Sequence, residues 1–206
     1  MRPWLRSTLR FTPWALAVGV GFAFAFRFEG TAGEAASAPT TWPAATSVLP
    51  AGGGKSTLLL FAHPRCPCTR ATLSELSLLL THEAAAVEAR VLFVRPPGVE
   101  LGWERSDLWE TASRIPGLRV IADPDGAEAR RFGAVVSGQV LLFAPDGSLR
   151  FSGGITASRG HQGDNPGRSA IEALLEGRPS TISTTPVFGC RLLAGACDGK
   201  AAVCKP

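Results

Sequence analysis

The chain has 206 residues, of which 45% are hydrophobic and 18% are charged. This composition supports a packed core and excludes a disordered chain, and the length fits one domain with extensions. The net charge of +4 comes from Arg2, Arg6, Arg10 and Arg27, since elsewhere 17 of the 21 basic residues remain against 17 acidic ones. A neutral body has no electrostatic footprint for nucleic acid, so we expect no nucleic-acid partner.

The N-terminal segment 1–29 has the charge pattern of a membrane anchor or an export signal. Three arginines precede the uncharged run FTPWALAVGVGFAFAF. Lys and Arg concentrate on the cytoplasmic side, so we expect a single pass through the inner membrane over residues 11–28, with the C-terminal domain in the periplasm or extracytoplasmic space. A cleavable signal ending in Ala-Ser-Ala at 36–38 is the alternative, but the Pro39 that follows favours the uncleaved anchor.

The rest of the chain reads as a linker, a folded domain and a tail. Residues 30–55, rich in Ala, Thr, Pro, Ser and Gly, are typical of a flexible linker. Residues 56–180 alternate strand and helix patterns, and residues 181–206 form a cysteine-containing tail. The predicted elements are strand Thr57–Ala62, helix Thr69–Glu83, strand Arg90–Arg95, helix Ser106–Ile115, strand Arg119–Ala122, helix Ala127–Phe132, a hairpin of Gln139–Phe143 with Ser148–Ser152, and a helix from Pro166 to Gly177. This order predicts an α/β fold with a central mixed sheet flanked by helices.

Two cysteines, Cys66 and Cys68, lie between the first predicted strand and the first predicted helix, in the sequence HPRCPCTR. Open α/β sheets place ligands at such junctions, and the free amides and positive dipole end of a helix favour a thiolate there. Because the thiolate is the nucleophile in disulfide exchange, the motif indicates a redox-active pair. We assign Cys66 as the attacking thiol, since it is further from the helix body, and Cys68 as the resolving thiol.

Several other residues are expected to support this pair. Charges on Arg65, Arg70 and His63 favour the thiolate, and Pro67 restricts the backbone so that the two cysteines come within the outer reach of a disulfide. A glycine-rich loop follows the predicted hairpin and contains Arg159 and His161. These two side chains are candidates to reach the cysteines as an acid–base or anion-binding pair, and a solvated connector is the equal alternative.

Three more cysteines, Cys190, Cys197 and Cys204, lie in the C-terminal tail. Cys190 is a candidate third redox cysteine that resolves an adduct on Cys66, or a metal ligand. Cys197 and Cys204 either pair with each other or belong to a disordered end.

Metal binding is the second interpretation of the same residues. A CxC pair with one further cysteine or histidine can hold Cu(I) or Zn²⁺, which predicts a copper or zinc delivery protein. The ligand set in that case is Cys66, Cys68, Cys190 and His161. A third interpretation is an interaction module without redox activity.

Three strings, FAHPRCPCTRATLSEL, SGQVLLFAPDGSLRFSGGITASRGHQGDN and TPVFGC, resemble the RedB family of membrane-anchored thioredoxin-like proteins, over about residues 55–192. The resemblance implies a thioredoxin-like fold and a thiol–disulfide oxidoreductase that acts on protein or small-molecule thiols and disulfides without a cofactor. The chain departs from ordinary thioredoxins in having CxC in place of CxxC. It also has Gly138 where the cis-proline opposite the cysteines would fall, which favours the metal-binding interpretation.

Overall fold

The computed structural model describes residues 3–34, 37–51 and 53–193, with side chains from residue 11 onward. Cys197 and Cys204 lie outside these residues. The helices and strands, in chain order, are α1 (Pro3–Glu29), β1 (Ser56–Ala62), α2 (Pro67–Glu83), β2 (Val87–Arg95), α3 (Asp107–Ser113), β3 (Leu118–Pro124), α4 (Ala127–Arg131), β4 (Gln139–Phe143), β5 (Leu149–Gly153) and α5 (Pro166–Leu175).

The strands form one five-stranded mixed sheet in the order β3-β2-β1-β4-β5. β1, β2 and β3 run parallel, whereas β4 is antiparallel to β1 and pairs with β5 as a hairpin. β1 is apolar at nearly every position because both of its faces are buried: Leu58 and Leu60 point to one core cluster, and Leu59 and Phe61 to the other. The predicted α/β fold with a central mixed sheet is confirmed.

The observed helix and strand boundaries differ from the predicted ones by a few residues. α2 starts at Pro67, two residues earlier than predicted, since proline suits the first turn of a helix. β2 starts at Val87, three residues earlier, because Val87 and Ala89 also lie in the buried core. The first extension lengthens the helix that begins at the cysteine motif. The second lengthens a strand that pairs with β1 in the centre of the sheet.

The segment predicted as a flexible linker packs against the domain over the residues that the structure describes. Trp42 is buried, and its indole makes edge-to-face contacts with Phe132 and Phe143 at centroid distances of 5.0 and 5.2 Å. Its backbone N–H donates to the Gly147 carbonyl at 2.8 Å. Burial of this aromatic side chain stabilises the attachment of the segment to the domain.

Residues 183–193, which we call the C-terminal strap, lie across one edge of the domain. The backbone N–H of Ser152 donates to the Ser183 carbonyl at 2.9 Å, and that of Leu192 donates to the Val135 carbonyl at 2.9 Å. The Leu192 side chain is buried in the same core cluster as Trp42. This part of the predicted tail therefore belongs to the folded domain, because it buries apolar surface and pairs its backbone groups.

α1 has a 19-residue stretch, Phe11–Glu29, that is long and apolar enough to cross a membrane. Its side chains are exposed rather than packed against the domain. An N-terminal signal sequence meets the same criteria, so α1 is either an anchor or a signal by length and composition.

The glycine-rich loop between β5 and α5 is fixed at its far end by Glu75 of α2. The Glu75 side chain is fully buried and accepts hydrogen bonds from the Gly163 backbone N–H at 2.7 Å and from the Asn165 side-chain amide at 3.3 Å. The Arg168 guanidinium of α5 lies 3.1 Å from the same carboxylate. One buried carboxylate thus joins α2, the loop and α5.

Glu75→Ala is expected to destabilise the fold by about 2 kcal/mol, because it removes one ion-pair partner of Arg168 and leaves the buried Asn165 amide and the Gly163 N–H without this acceptor. Urea unfolding of the full chain in detergent measures the change in the free energy of unfolding. The matched control is Glu110→Ala, since Glu110 forms an exposed ion pair with Arg114, and removing it should cost less than about 0.5 kcal/mol. Equal losses in the two variants would contradict the role assigned to Glu75.

Candidate functional site

Cys66 is the N-cap residue of α2 and is only 1% exposed. Its backbone is extended, with φ −90° and ψ 115°, and Pro67 occupies the first helical position. The Cys66 side chain makes no capping hydrogen bond to the helix, but the nearby backbone N–H groups of Cys68 and Thr69 at the helix start favour its thiolate and help to lower its pKa. The predicted position of the motif at a strand-to-helix junction is therefore what the structure shows.

The C-terminal strap brings Cys190 to the same sulfur. Both the thiol and the backbone N–H of Cys190 donate hydrogen bonds to Cys66. The Cys190 carbonyl accepts from the Ser137 N–H at 2.8 Å. The preceding residue, Gly189, lies so close to the Ser137 carbonyl that a Cβ there would clash with it. A glycine before Cys190 is therefore required for the strap to approach the site.

These hydrogen bonds lower the pKa of Cys66 from its ordinary value of 9.0 to about 4. The Cys190 thiol makes the largest contribution, burial acts in the opposite direction, and the backbone N–H groups add to the lowering. The same hydrogen bond raises the pKa of Cys190, with burial and the charge on Cys66 adding to the effect. At neutral pH the site thus pairs a Cys66 thiolate with a Cys190 thiol.

Cys68 is half-buried and lies between Cys66 and Arg159. Burial is the main cause that raises the pKa of Cys68, followed by the charge on Cys66 and a hydrogen bond with it. Arg159 opposes this effect through its charge and through a hydrogen bond to the Cys68 side chain. The structure therefore brings Cys66, Cys68 and Cys190 into one cluster with Cys66 in the middle.

Arg159 also ties the cluster to the end of α1. Its backbone N–H donates to the Glu29 carbonyl at 3.1 Å, and its Nε donates to the Thr31 carbonyl at 3.2 Å. Its Nη1 donates to the Gly189 carbonyl of the strap at 2.7 Å. A single side chain thus joins the C-terminal end of the apolar helix, the strap and Cys68.

His63 contacts the motif, but without the positive charge that the sequence analysis expected. Burial lowers the pKa of His63, and Arg65 adds to the lowering, while the charge on Cys66 opposes it. Its ordinary pKa is 6.5, so a lowered value leaves the imidazole neutral at pH 7. Its Nδ1 accepts the Arg65 backbone N–H at 3.1 Å and its ring packs on Trp103. His63 therefore supports the conformation of the loop through these contacts and adds no positive charge to it.

The other predicted cations lie elsewhere. The Arg65 guanidinium is over the Trp103 ring, 4.5 Å from its centroid, and Arg70 forms an exposed ion pair with Asp107. His161 is exposed and its backbone N–H donates to the Ser158 carbonyl. Within the described part of the chain, Arg159 is the predicted cation that reaches a cysteine. The expected Arg159–His161 pair is not formed there.

Gly138 stands opposite the cysteines, but its conformation excludes a proline. Its φ of +96° is in the region that favours glycine, whereas proline is held near −65°. Its backbone N–H also donates to the Phe61 carbonyl at 2.8 Å, a bond that proline cannot make. The described residues contain no cis peptide bond.

Ser137 is a residue of the site that the sequence analysis missed. Its side chain is buried, and its hydroxyl accepts the His63 backbone N–H at 2.8 Å and lies 2.9 Å from the Thr69 hydroxyl. The sequence feature that could have identified Ser137 is its position directly before Gly138, at the place where a thioredoxin-like chain faces its cysteines.

The geometry gives no support to the metal-binding interpretation. Within residues 3–34, 37–51 and 53–193, no group of three or more His, Cys, Asp or Glu side chains is placed to hold a metal ion. The three cysteines are instead connected by hydrogen bonds that suit one thiolate and two thiols.

No family model and no curated protein matches the chain. Among solved structures, a hypothetical protein from Sinorhizobium meliloti is similar with a TM-score of 0.57 and 18% identity, covering 79% of this chain and 93% of that one. An uncharacterized conserved protein from Geobacillus kaustophilus has a TM-score of 0.56 at 18% identity, covering 81% and 94%.

A secreted Mycobacterium tuberculosis disulfide oxidoreductase, homologous to Escherichia coli DsbE, has a TM-score of 0.42 at 17% identity, covering 60% and 82%. The likeness to the first two structures is one of fold. The five-stranded mixed sheet flanked by helices, with the cysteine motif at the start of α2, is a thioredoxin-like fold.

Cys190→Ala is expected to raise the pKa of Cys66 well above 4, toward the ordinary value of 9.0, because it removes the largest cause of the lowering. A pH titration of thiolate ultraviolet absorbance in the reduced full chain measures this midpoint. The matched control is Cys190→Ser, which keeps a hydroxyl donor at the same place and should leave Cys66 with a lowered pKa. A midpoint that is the same in both variants would show that the Cys190 side chain does not stabilise the thiolate.

Proposed function

We propose that the protein is a membrane-anchored, exported thiol–disulfide oxidoreductase of the RedB kind, which exchanges disulfides through its CxC motif, Cys66 and Cys68. One observation carries this proposal. Cys66 is the N-cap residue of α2 and lies beside Cys190, and its pKa is lowered to about 4, so that it is a thiolate at neutral pH. A thiolate at neutral pH is the nucleophile that disulfide exchange requires.

The exchange proceeds in two displacements at sulfur. The Cys66 thiolate attacks one sulfur of a partner disulfide, so that a mixed disulfide forms and the other partner sulfur leaves as a thiolate. Cys68 then loses its proton and attacks the Cys66 sulfur, which forms the Cys66–Cys68 disulfide and releases the second partner thiolate. The partner gains two electrons and the motif loses two, and the reverse steps oxidise a partner dithiol.

The supporting residues follow from the described contacts. Arg159 stabilises a Cys68 thiolate when Cys68 attacks, since it holds a hydrogen bond to that side chain. The extended backbone of Cys66 and Pro67 at the first helical position keep Cys66 outside the regular helix, whereas Cys68 lies in the first turn of α2. We expect no cofactor, because the cysteines themselves carry the electrons, and no nucleic-acid partner. The partners are thiols and disulfides of proteins or small molecules.

Membrane attachment through residues 11–28 agrees with the length and exposure of α1. The arginines before this stretch favour a cytoplasmic N-terminus, which places the thioredoxin-like domain in the periplasm or another extracytoplasmic space. Arg159 contacts both the end of α1 and Cys68, so the redox centre lies close to the membrane surface when α1 is retained.

The test is a redox titration of the purified full chain in detergent. The chain is equilibrated with mixtures of reduced and oxidised glutathione, free thiols are alkylated, and mass spectrometry locates the disulfides. We expect reversible interconversion involving Cys66 at a defined potential, and none in Cys66→Ser. The matched control, Cys197→Ser with Cys204→Ser, should titrate like the unsubstituted chain.

A chain whose Cys66 stays reduced, or is oxidised without reversal, would contradict the proposed function. So would a Cys66→Ser variant that reduces or forms partner disulfides as fast as the unsubstituted chain.

A further inference from the structure

The three clustered cysteines differ sharply in their exposure to solvent. Cys66 is 1% exposed and is covered by the C-terminal strap, Cys68 is half-buried, and Cys190 is exposed. A partner sulfur must approach the attacked sulfur in line with the bond that breaks, and the exposed Cys190 is easier to reach in this way than the buried Cys66. The reactive thiolate and the accessible sulfur are therefore different residues.

Resting on the proposed function, we infer that Cys190 is the third exchanging thiol of this site and the sulfur at which a partner thiol or disulfide enters and leaves. Its side chain contacts the Cys66 sulfur on one side and solvent on the other. The strap holds it there through the Ser137–Cys190 backbone hydrogen bond and the close approach of Gly189.

The exchange begins with the disulfide between Cys66 and Cys68. Cys190 loses its proton and attacks the Cys66 sulfur, so that a Cys66–Cys190 disulfide forms and Cys68 leaves as a thiolate, which takes up a proton. A partner thiolate then attacks the exposed Cys190 sulfur, and Cys66 leaves as a thiolate. The second thiol of the partner attacks the partner's own sulfur and releases Cys190. The partner dithiol loses two electrons and becomes a disulfide, while the motif gains two.

The direction of attack follows from the leaving groups. Thiols of low pKa leave fastest in disulfide exchange. The Cys190 thiol no longer lowers the pKa of Cys66 when Cys190 is in a disulfide, but the backbone N–H groups of Cys190, Cys68 and Thr69 still favour the Cys66 thiolate. An incoming thiolate that attacks Cys190 therefore expels the best leaving group in the site. Attack at Cys66 would expel Cys190 or Cys68, whose pKa values are both raised.

Cys190 loses its proton more readily once Cys66 is in the disulfide with Cys68. The main cause of the raised pKa of Cys190 is its hydrogen bond to Cys66, and this cause disappears when Cys66 no longer carries a charge. Burial, which also raises the pKa of Cys190, remains. Arg159 then favours the Cys190 thiolate without an opposing charge from Cys66.

The experiment uses the full chain in detergent with Cys197 and Cys204 replaced by serine in every variant. Glutathione, reduced and oxidised, is the partner, and peptide mass mapping after rapid alkylation locates each disulfide over time. Cys66→Ser should accumulate glutathione on Cys190. Cys68→Ser should still form an internal disulfide, between Cys66 and Cys190, that glutathione opens.

Cys190→Ser is the decisive variant, because its hydroxyl still donates to Cys66 and so preserves the thiolate while removing the entry sulfur. We expect its exchange with glutathione to be slower by about tenfold or more. Thiolate absorbance and thermal unfolding of the same sample verify that the site and fold are retained. The Cys68→Ser variant tests the same inference without changing Cys190, so its result does not depend on how Cys190→Ser folds.

The inference is overturned if Cys190→Ser exchanges as fast as the parent chain, or if glutathione is found on Cys66 while Cys68→Ser forms no internal disulfide. In those cases reversible oxidation of Cys66 with Cys68 leaves the proposed function intact. Loss of reversible exchange in the parent chain as well would overturn both.

Discussion

The whole site depends on one buried serine that joins two distant segments of the chain. The Ser137 hydroxyl accepts the His63 backbone N–H at 2.8 Å and lies 2.9 Å from the Thr69 hydroxyl, so it holds the loop and the first turn around Cys66. Its own N–H donates to the Cys190 carbonyl at 2.8 Å. Because an unmet buried donor or acceptor costs about 1–3 kcal/mol, these bonds hold the loop around Cys66 and the strap at Cys190 to the same residue.

Two glycines make this arrangement sterically possible, and they change the meaning of the absent proline. A Cβ at Gly189 would clash with the Ser137 carbonyl. At Gly138 a Cβ would lie 3.2 Å from the Thr72 hydroxyl and 3.9 Å from the Phe188 carbonyl of the strap, so a proline ring would extend into the same space. From the sequence alone, the missing proline favours a metal-binding interpretation. In the structure the positive φ of Gly138 and the hydrogen bond from its N–H to the Phe61 carbonyl account for a glycine at this position.

Local patterns predicted well what depends on neighbouring residues. The alternation of apolar runs gave the order of strands and helices, and Pro67 marked the start of α2 because its ring suits the first helical turn. Contacts between distant segments were not accessible in this way. Trp42 joins Phe132 and Phe143 across about a hundred residues, and nothing in its polar surroundings predicts that burial. The neutral state of His63 likewise follows from packing, since composition alone suggests a positive charge.

Arg159 connects the cysteine cluster to the end of α1 and the segment that follows it. Its guanidinium is shared between the Thr31 carbonyl, the Gly189 carbonyl and the Cys68 side chain, so its charge is held in place by both the chain end of α1 and the strap. A cation fixed by backbone carbonyls loses little conformational freedom when a cysteine beside it ionises, which makes its stabilisation of that thiolate more effective. The segment that follows α1 thus helps to position the charge beside the cysteines. An anchored chain and a chain cleaved after residue 38 would therefore differ in the chemistry of Cys68 as well as in location.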